Sequence, residues 1–560
     1  MFKAKIFLPS LFLFAFFFSI TSALWPIPQK WTKGDDTLVV YPSIPIKLNP
    51  NTAKILSVKS QQAFTSAKNR LQKFLAQERY VSPNVKFNIS SKAKQLDHVI
   101  INVSTDQDFE INIDESYTLE ISEETLVAEI SAKTVYGALH GLTTFSQLVY
   151  YDNDYLKHEK HQRLYLPFAP HKIVDAPAFE YRGLMLDTAR NYYPIEDILR
   201  TLDIMSWNKF NVFHWHIVDA TSWPVVTKAY PKLSEKGAYD PKTMIYTKQD
   251  ISIVDEYAKM RGIHVVPEFD MPGHTQAIAS GYPEIVSCAN EQPRWDLYAA
   301  EPPSGQLNPA IPETYTFLEN IIPELTSYFS EKYYHAGGDE VNMECWNQDA
   351  SIKYYLGNNS GSSLNTLIAK FIDKTHELVR KSKKIPIAWQ ETVVEYNLTL
   401  GKDTLIQVWK DDVTSKQVAK KGYKMIMGTS DYWYLDCGHG AWIGNSVNGT
   451  SWCDPFKTWQ KIYSYNPTSG LTEEEAKLVI GGEVLLWSEQ SDPTNLERML
   501  WPRSSAAAEV LWSGTNNRNV VEALPRLHDW RFRMVKRGVQ AEPLQPLWCA
   551  RNGGCDLPQS

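Results

Sequence analysis

Beyond its first two dozen residues, the 560-residue chain has no apolar run long enough to cross a bilayer, so no membrane insertion is expected. Cysteine is scarce: six residues, none in a Cys-x-x-Cys pair, which argues against a zinc clasp or a dithiol redox centre. Basic residues are not in excess either. With 57 Lys and Arg against 64 Asp and Glu, the basic side chains are scattered, and neither nucleic acid nor an anionic membrane is an expected partner. No fixed-period repeat runs through the chain, so a solenoid is not expected.

What is present begins with an address. Lys3 and Lys5 precede the apolar block Leu11–Phe18, and Thr21 and Ala23 supply the small residues of a cleavage site. We therefore expect residues 1–23 to be a secretory signal peptide, and Leu24-Trp25-Pro26-Ile27-Pro28 argues against a continuing helix. Its removal takes the formal charge from −7 to −9, because Lys3 and Lys5 leave with it. Export places Cys288, Cys345, Cys437, Cys453, Cys549 and Cys555 in an oxidising setting. Six cysteines allow fifteen connectivities, of which sequential pairing is the simplest. Acceptor triplets at Asn88, Asn102, Asn358, Asn397 and Asn448 hint at glycosylated surface loops. The destination is expected to be extracellular or the cell wall, with a lytic vacuole-like compartment as the alternative.

Two domains are expected of the roughly 535 remaining residues, which exceed one ordinary core. Residues 24–170 read as a small α+β domain: strands at 37–41, 98–103 and 117–121, with helices at 52–80 and 132–149. Pro167, Pro170 and Pro177 are taken to mark a linker. From 171 to 560 short apolar strands alternate with amphipathic helices at 196–207, 248–261, 315–330 and 364–382. The strands are expected at 182–187, 212–219, 263–270, 333–340, 385–391, 405–409, 424–428 and 479–489. Eight buried strands with crossover helices indicate an α/β fold, a (β/α)8 barrel with a C-terminal extension.

In such barrels the chemistry gathers at the C-terminal ends of the strands. Here those ends carry Asp187, Asp219, Glu268, Asp270, Asp339, Glu340, Trp389, Trp409, Tyr434, Asp436, Trp487 and Glu489. Indole faces stack on the C–H faces of sugar rings while carboxylates accept from hydroxyls, so carbohydrate is the ligand class implied. In His335-Ala-Gly-Gly-Asp339-Glu340 two adjacent carboxylates close a strand, where neighbouring side chains diverge. One is free to address a leaving oxygen and the other the underside of a ring. A carboxyl that donates to a departing oxygen needs a raised pKa.

The segments 182–190, 208–219, 267–274, 335–340, 433–436 and 481–489, with Trp501-Pro502-Arg503, resemble family 20 glycoside hydrolases in order across the barrel. The Leu-Trp-Pro start is similar to fungal secreted members. The resemblance implies a retaining exo-β-N-acetylhexosaminidase in which the substrate's own acetamido group is the nucleophile. It implies Glu340 as general acid/base, Asp339 as the group orienting the acetamido nitrogen, and Tyr434 as the holder of its carbonyl oxygen. Trp389, Trp409 and Trp487 resemble the walls of the acetamido pocket, and Arg190, Asp436 and Glu489 the ligands of the 3-, 4- and 6-hydroxyls. Asp219 and His274 resemble a pair behind the general acid. Terminal N-acetylhexosamine on glycans or chitooligosaccharides is the implied substrate, and homodimers are common in the family.

No metal or other cofactor is expected. His214 and His216 share a strand face, but no clear third ligand accompanies them, so hydrogen bonding inside the core is the preferred reading. Glu268 and His335 read as supports, and Arg182 as a residue paired within the barrel. A degenerate lectin would keep the tryptophans but lose Glu340 or Asp339, and both are present. A chitinase of the other substrate-assisted type would carry an Asp-x-x-Asp-x-Asp-x-Glu strand, and none is found. The remaining alternative is a disaccharide-releasing or chitobiose-specialised relative, distinguished by how open the pocket is beyond Glu489.

Overall fold

The computed structural model describes residues 23–90, 92–151, 164–516, 518–552 and 554–555, so the leader expected at 1–23 lies almost wholly outside the described residues. Among the described residues no helix is long and apolar enough to cross a membrane.

The N-terminal unit is a mixed sheet in the spatial order Lys30–Val40, Leu164–Asp175, Tyr117–Ile121, Val127–Ala132, His98–Val103, Ile46–Leu48. The alternating burial of His98–Val103 and Tyr117–Ile121 follows from their alternating apolar residues, which one face buries under two helices. Those helices are Val58–Gln77 and Val135–Leu148. The single helix expected over 52–80 is broken at Leu56, because Ser57 caps a new one by accepting from Ser60 N. Pro167 and Pro170 are not in a linker. They sit inside the strand Leu164–Asp175, where Pro167 faces Thr37 and the register slips beside Asp36. An irregular ladder of this kind tolerates the missing N–H groups. The joint between the units falls at 176–180, later than the boundary expected at 170.

Eight parallel strands then close a barrel in sequential order. They are β1 (Tyr181–Asp187), β2 (Val212–Val218), β3 (His264–Phe269), β4 (Tyr333–His335), β5 (Ile385–Trp389), β6 (Leu405–Val408), β7 (Met425–Met427) and β8 (Val479–Leu486). Strands buried along their whole length, as β1, β2, β3 and β8 are, need helices outside and packed side chains inside. The β5–β6 crossover is the exception, holding only a 3-10 turn at Gln390–Thr392. That segment folds back to hold Trp409, whose backbone N–H donates to Gln390 and whose indole N–H donates to Glu391.

The two units meet at the N-terminal ends of the strands. At the start of β1, Arg182 donates through Nε to the Lys209 carbonyl of the barrel unit at 2.9 Å, and its Nη2 also reaches Glu115 of the N-terminal unit at 2.7 Å, both buried. Lys209 meets Asp175 at 2.9 Å, and Phe109 stacks on His264 with ring centroids 3.8 Å apart. The opposite end of the barrel is left open.

Candidate active site

Pairing register puts His216 opposite both Asp187 and Glu268, and Glu268 opposite His335, so one level of the barrel interior is polar. Glu268, fully buried, is its centre. It accepts from Trp389 Nε1 at 2.8 Å and lies 2.6 Å from His216 Nδ1, 3.0 Å from His214 Nε2 and 3.1 Å from His335 Nδ1. Burial alone would raise its carboxyl, but His335 and His216 hold it well below the usual range. Between Glu268 and Glu483, His214 is raised to about 9 and its charge is kept. A third partner for a histidine metal site does exist in space, since His214, Glu268 and His335 gather in one cluster. The carboxylate is already engaged by His216 and Trp389.

Above this level the predicted residues converge. Asp219 Oδ2 is 2.8 Å from Arg190 Nη1 and 2.9 Å from His216 Nε2, and its Oδ1 is 3.3 Å from His274 Nδ1. Although burial works against it, Arg190 and His274 hold the Asp219 carboxyl well below its ordinary value. The far nitrogen of His274 lies 3.2 Å from Glu340 Oε2 and 3.9 Å from Asp339 Oδ2. Burial lowers His274, but Asp219 and the two acids outweigh it and the imidazole is cationic. Facing each other, His274 and Glu340 are both non-glycine residues with positive φ, +55° and +47°, a conformation that surrounding packing must enforce.

Two expectations need correction here. Asp339 and Glu340 are not on a strand: β4 stops at His335, and Ala336–Glu340 is an irregular turn in which Gly337 and Gly338 have φ of +67° and +100°. Nor is Glu340 raised in the unliganded protein. Burial pushes it up, yet the hydrogen bond and charge of His274 prevail and its carboxyl lies below the ordinary value.

The aromatic residues form a box beside Asp339. Trp389 and Tyr434 are buried, with Trp409 and Trp487 packed against them, and Trp409 stacks near Tyr434 at 6.4 Å between centroids. The disulfide Cys437–Cys453 packs in the same cluster and ties down the loop that carries Tyr434 and Asp436. Cys288–Cys345 and Cys549–Cys555 complete the sequential pairing. A cavity of about 240 Å³ opens here, lined in part by Asp436, Trp487, Glu489, Glu301, Trp442 and Trp452. Burial raises the carboxyls of Asp436, to about 7, and of Glu489. Arg190 stands over Trp487 at 4.9 Å and is 4.0 Å from Glu489. Asp187 accepts from the backbone of Ala189, Arg190 and Ser488, bracing two loops, and its Oδ2 lies 3.6 Å from Arg190 Nη1.

Residues 179–515 match the family model described as "Glycosyl hydrolase family 20, catalytic domain", and residues 24–148 match "beta-acetyl hexosaminidase like". The chain belongs to glycoside hydrolase family 20. This family 20 hydrolase is 33% identical to a β-hexosaminidase of Arthroderma benhamiae, over 96% of this chain and 98% of that one. It is 37% identical to the chitooligosaccharidolytic β-N-acetylglucosaminidase of Bombyx mori, over 95% and 88%. Among solved structures it resembles the Flavobacterium johnsoniae chitobiase with a TM-score of 0.73 and 28% identity, over 92% of this chain and 73% of that one.

Four residues of this family 20 site escaped the sequence reading. Glu301, on the loop after β3, holds Arg190 through Nε at 2.9 Å and Nη2 at 2.6 Å. Only its proline-rich surroundings marked that loop. Glu391 receives the Trp409 indole N–H, and its place in Trp389-Gln390-Glu391 was the available signal. Trp442 and Trp452 stand partly exposed on the loop after β7. Of the acceptor asparagines, Asn88, Asn358, Asn397 and Asn448 are exposed, whereas Asn102 lies in a strand with its amide donating to Glu129 and Ser131.

Proposed function

We propose that this hydrolase removes terminal β-linked N-acetylglucosamine or N-acetylgalactosamine from glycans and chitooligosaccharides, with retention, using the 2-acetamido group as nucleophile. The observation that carries the reading is the division between two adjacent carboxylates. Glu340 is one-third exposed at the mouth and bonded to cationic His274, while Asp339 is buried beside the aromatic box. Glu340 donates a proton to the glycosidic oxygen as the acetamido oxygen attacks the anomeric carbon. Asp339 accepts the acetamido N–H, Tyr434 donates to its carbonyl oxygen, and Trp389, Trp409 and Trp487 confine the group. Confinement is where most of the acceleration comes from, since well-oriented intramolecular attack reaches effective molarities of about 10⁵–10⁸ M. Water, deprotonated by Glu340, then opens the cyclic intermediate. A sugar in the pocket strips water from Glu340 and favours its neutral, donating form, which offsets the influence of His274.

Arg190, Asp436 and Glu489 hold the 3-, 4- and 6-hydroxyls. The cavity beyond Glu489 is walled by Glu301, Trp442 and Trp452, which favours release of one sugar over a disaccharide. The name of the Bombyx mori relative supports chitooligosaccharides among the substrates. The three disulfides and four exposed acceptor asparagines support export to the cell exterior or a lytic compartment.

Leaving-group dependence tests the division of labour. Glu340→Gln should lose about 10²–10⁴-fold on glycans and far less on aryl substrates whose phenol departs without a proton. Asp339→Asn and Tyr434→Phe should slow both classes. Equal losses on both classes for Glu340→Gln would remove it from the acid role.

A further inference from the structure

Asp270 follows β3 directly, is 1% exposed, and has no part in the chemistry above. The turn bearing Asp339 and Glu340 is nonetheless built around it. Its Oδ1 accepts from Gly338 N at 2.8 Å and fills the space where a side chain at Gly337 would lie, 1.5 Å from an added Cβ. Glycine is therefore required at 337. Toward the pocket, Asp270 faces Asp339: one carboxylate oxygen of each, with a ring nitrogen of His274, lie within 4.8 Å of one another. Two buried carboxyls this close do not both ionise, so one proton is placed between them. The buried Oδ1 of Asp339 has no hydrogen-bond partner among the described residues.

We propose that Asp270 is a positioning residue for Asp339: holding the one proton of the pair, it donates to an oxygen of Asp339 and leaves that carboxylate ionised and aimed at the substrate's amide N–H. The proposal rests on Asp339 being the group that orients the acetamido nitrogen. Only a proton changes place. It is shared between the carboxyls in the free protein, resides on Asp270 while the amide donor occupies Asp339, and is shared again when the sugar leaves. Burial raises both acids, Asp270 to about 7 and Asp339 well above its ordinary value, and the charge of Asp270 adds to the rise at Asp339, so the proton moves to Asp270 only when the amide donor stabilises the Asp339 carboxylate. Cationic His274 opposes the rise. Glu268 adds to it at Asp270 and Glu340 at Asp339, while Glu391 and Tyr434 also feel the Asp339 charge.

The test compares Asp270→Asn, Asp270→Ala and Asp339→Asn on an aryl N-acetyl-β-glucosaminide whose phenol leaves without a proton. The readout is kcat/KM against pH, with melting curves to confirm the fold. An asparagine at 270 can still accept from Gly338 and donate to Asp339, so Asp270→Asn should keep most of the activity. Its alkaline limb should disappear or move upward, because no second carboxyl remains to ionise. Asp270→Ala should lose about 10²-fold, the scale of a roughly 1 Å misplacement. A folded Asp270→Asn that is as impaired as Asp270→Ala, or whose alkaline limb matches the wild type, overturns the proposal while leaving the role of Asp339 intact. An unimpaired Asp339→Asn removes that role, and the proposal with it.

Discussion

At the scale of single residues, the decisive relation is between His274 and Glu340. His274 is fixed on one side by Asp219 and presents its other nitrogen to Glu340, whose carboxyl it depresses. The sign of a substitution follows. His274→Gln removes the cation that favours ionised Glu340, so the acid stays protonated to higher pH. The alkaline limb of kcat/KM on a glycan substrate should then move upward by about one unit or more, the usual size of an opposite-charge effect. A limb that stays in place or moves down would break the proposed linkage. Long motifs made these residues readable in the sequence, but the depressed state of Glu340 was not. It depends on a contact between turns after β3 and β4, sixty-odd positions apart in the chain, that no local pattern encodes.

Among elements, the loop after β7 does most to shape the pocket. It supplies Tyr434 and Asp436, then Trp442 and Trp452, and Cys437–Cys453 closes it with a Cα separation of 5.2 Å. Replacing both cysteines by serine should cost about 3 kcal/mol of stability, as expected for a closed loop of this length. The folded fraction should also lose about 10²-fold in kcat/KM, because Tyr434 loses its brace. Melting curves and kinetics on the folded protein check the two effects separately, and wild-type kcat/KM in a folded variant would show that the staple does not position Tyr434. The eight barrel strands were legible as short apolar runs between amphipathic helices, most of them followed at once by a carboxylate or an aromatic residue. The N-terminal unit was less so. Strand Leu164–Asp175 contains Pro167 and Pro170, which read as punctuation until its partner Lys30–Val40, more than a hundred residues earlier, is seen beside it. Glu301 was hidden for a similar reason, as its role exists only through Arg190.

For the whole molecule, the small unit acts as a foundation at the end of the barrel remote from chemistry. Arg182, Glu115 and His140 form a buried triad across the joint. Burial pushes Glu115 up, but Arg182 and His140 bring it down to about 2. With the folded value below the unfolded one, its stabilising contribution is present above about pH 4.3 and is lost as pH falls through about 2. Arg182→Met strands Glu115 without its cation and should destabilise the protein by about 3–5 kcal/mol. Because the joint is far from the site, kcat per folded molecule should not change, and denaturant titration with kcat measured on the folded fraction tests both parts. A normal stability, or a kcat that falls in step with it among folded molecules, would contradict this division between foundation and site.

The central claim is that the nucleophile belongs to the substrate. Its most direct test is turnover of a matched pair, the p-nitrophenyl N-acetyl-β-glucosaminide and the p-nitrophenyl β-glucoside, by the unmodified protein. The first should be hydrolysed with retained configuration and the second should show no detectable turnover, because it lacks the acetamido oxygen that attacks the anomeric carbon. Hydrolysis of the plain glucoside at a comparable rate, with a sugar trapped covalently on Asp339 or another carboxylate, would contradict it.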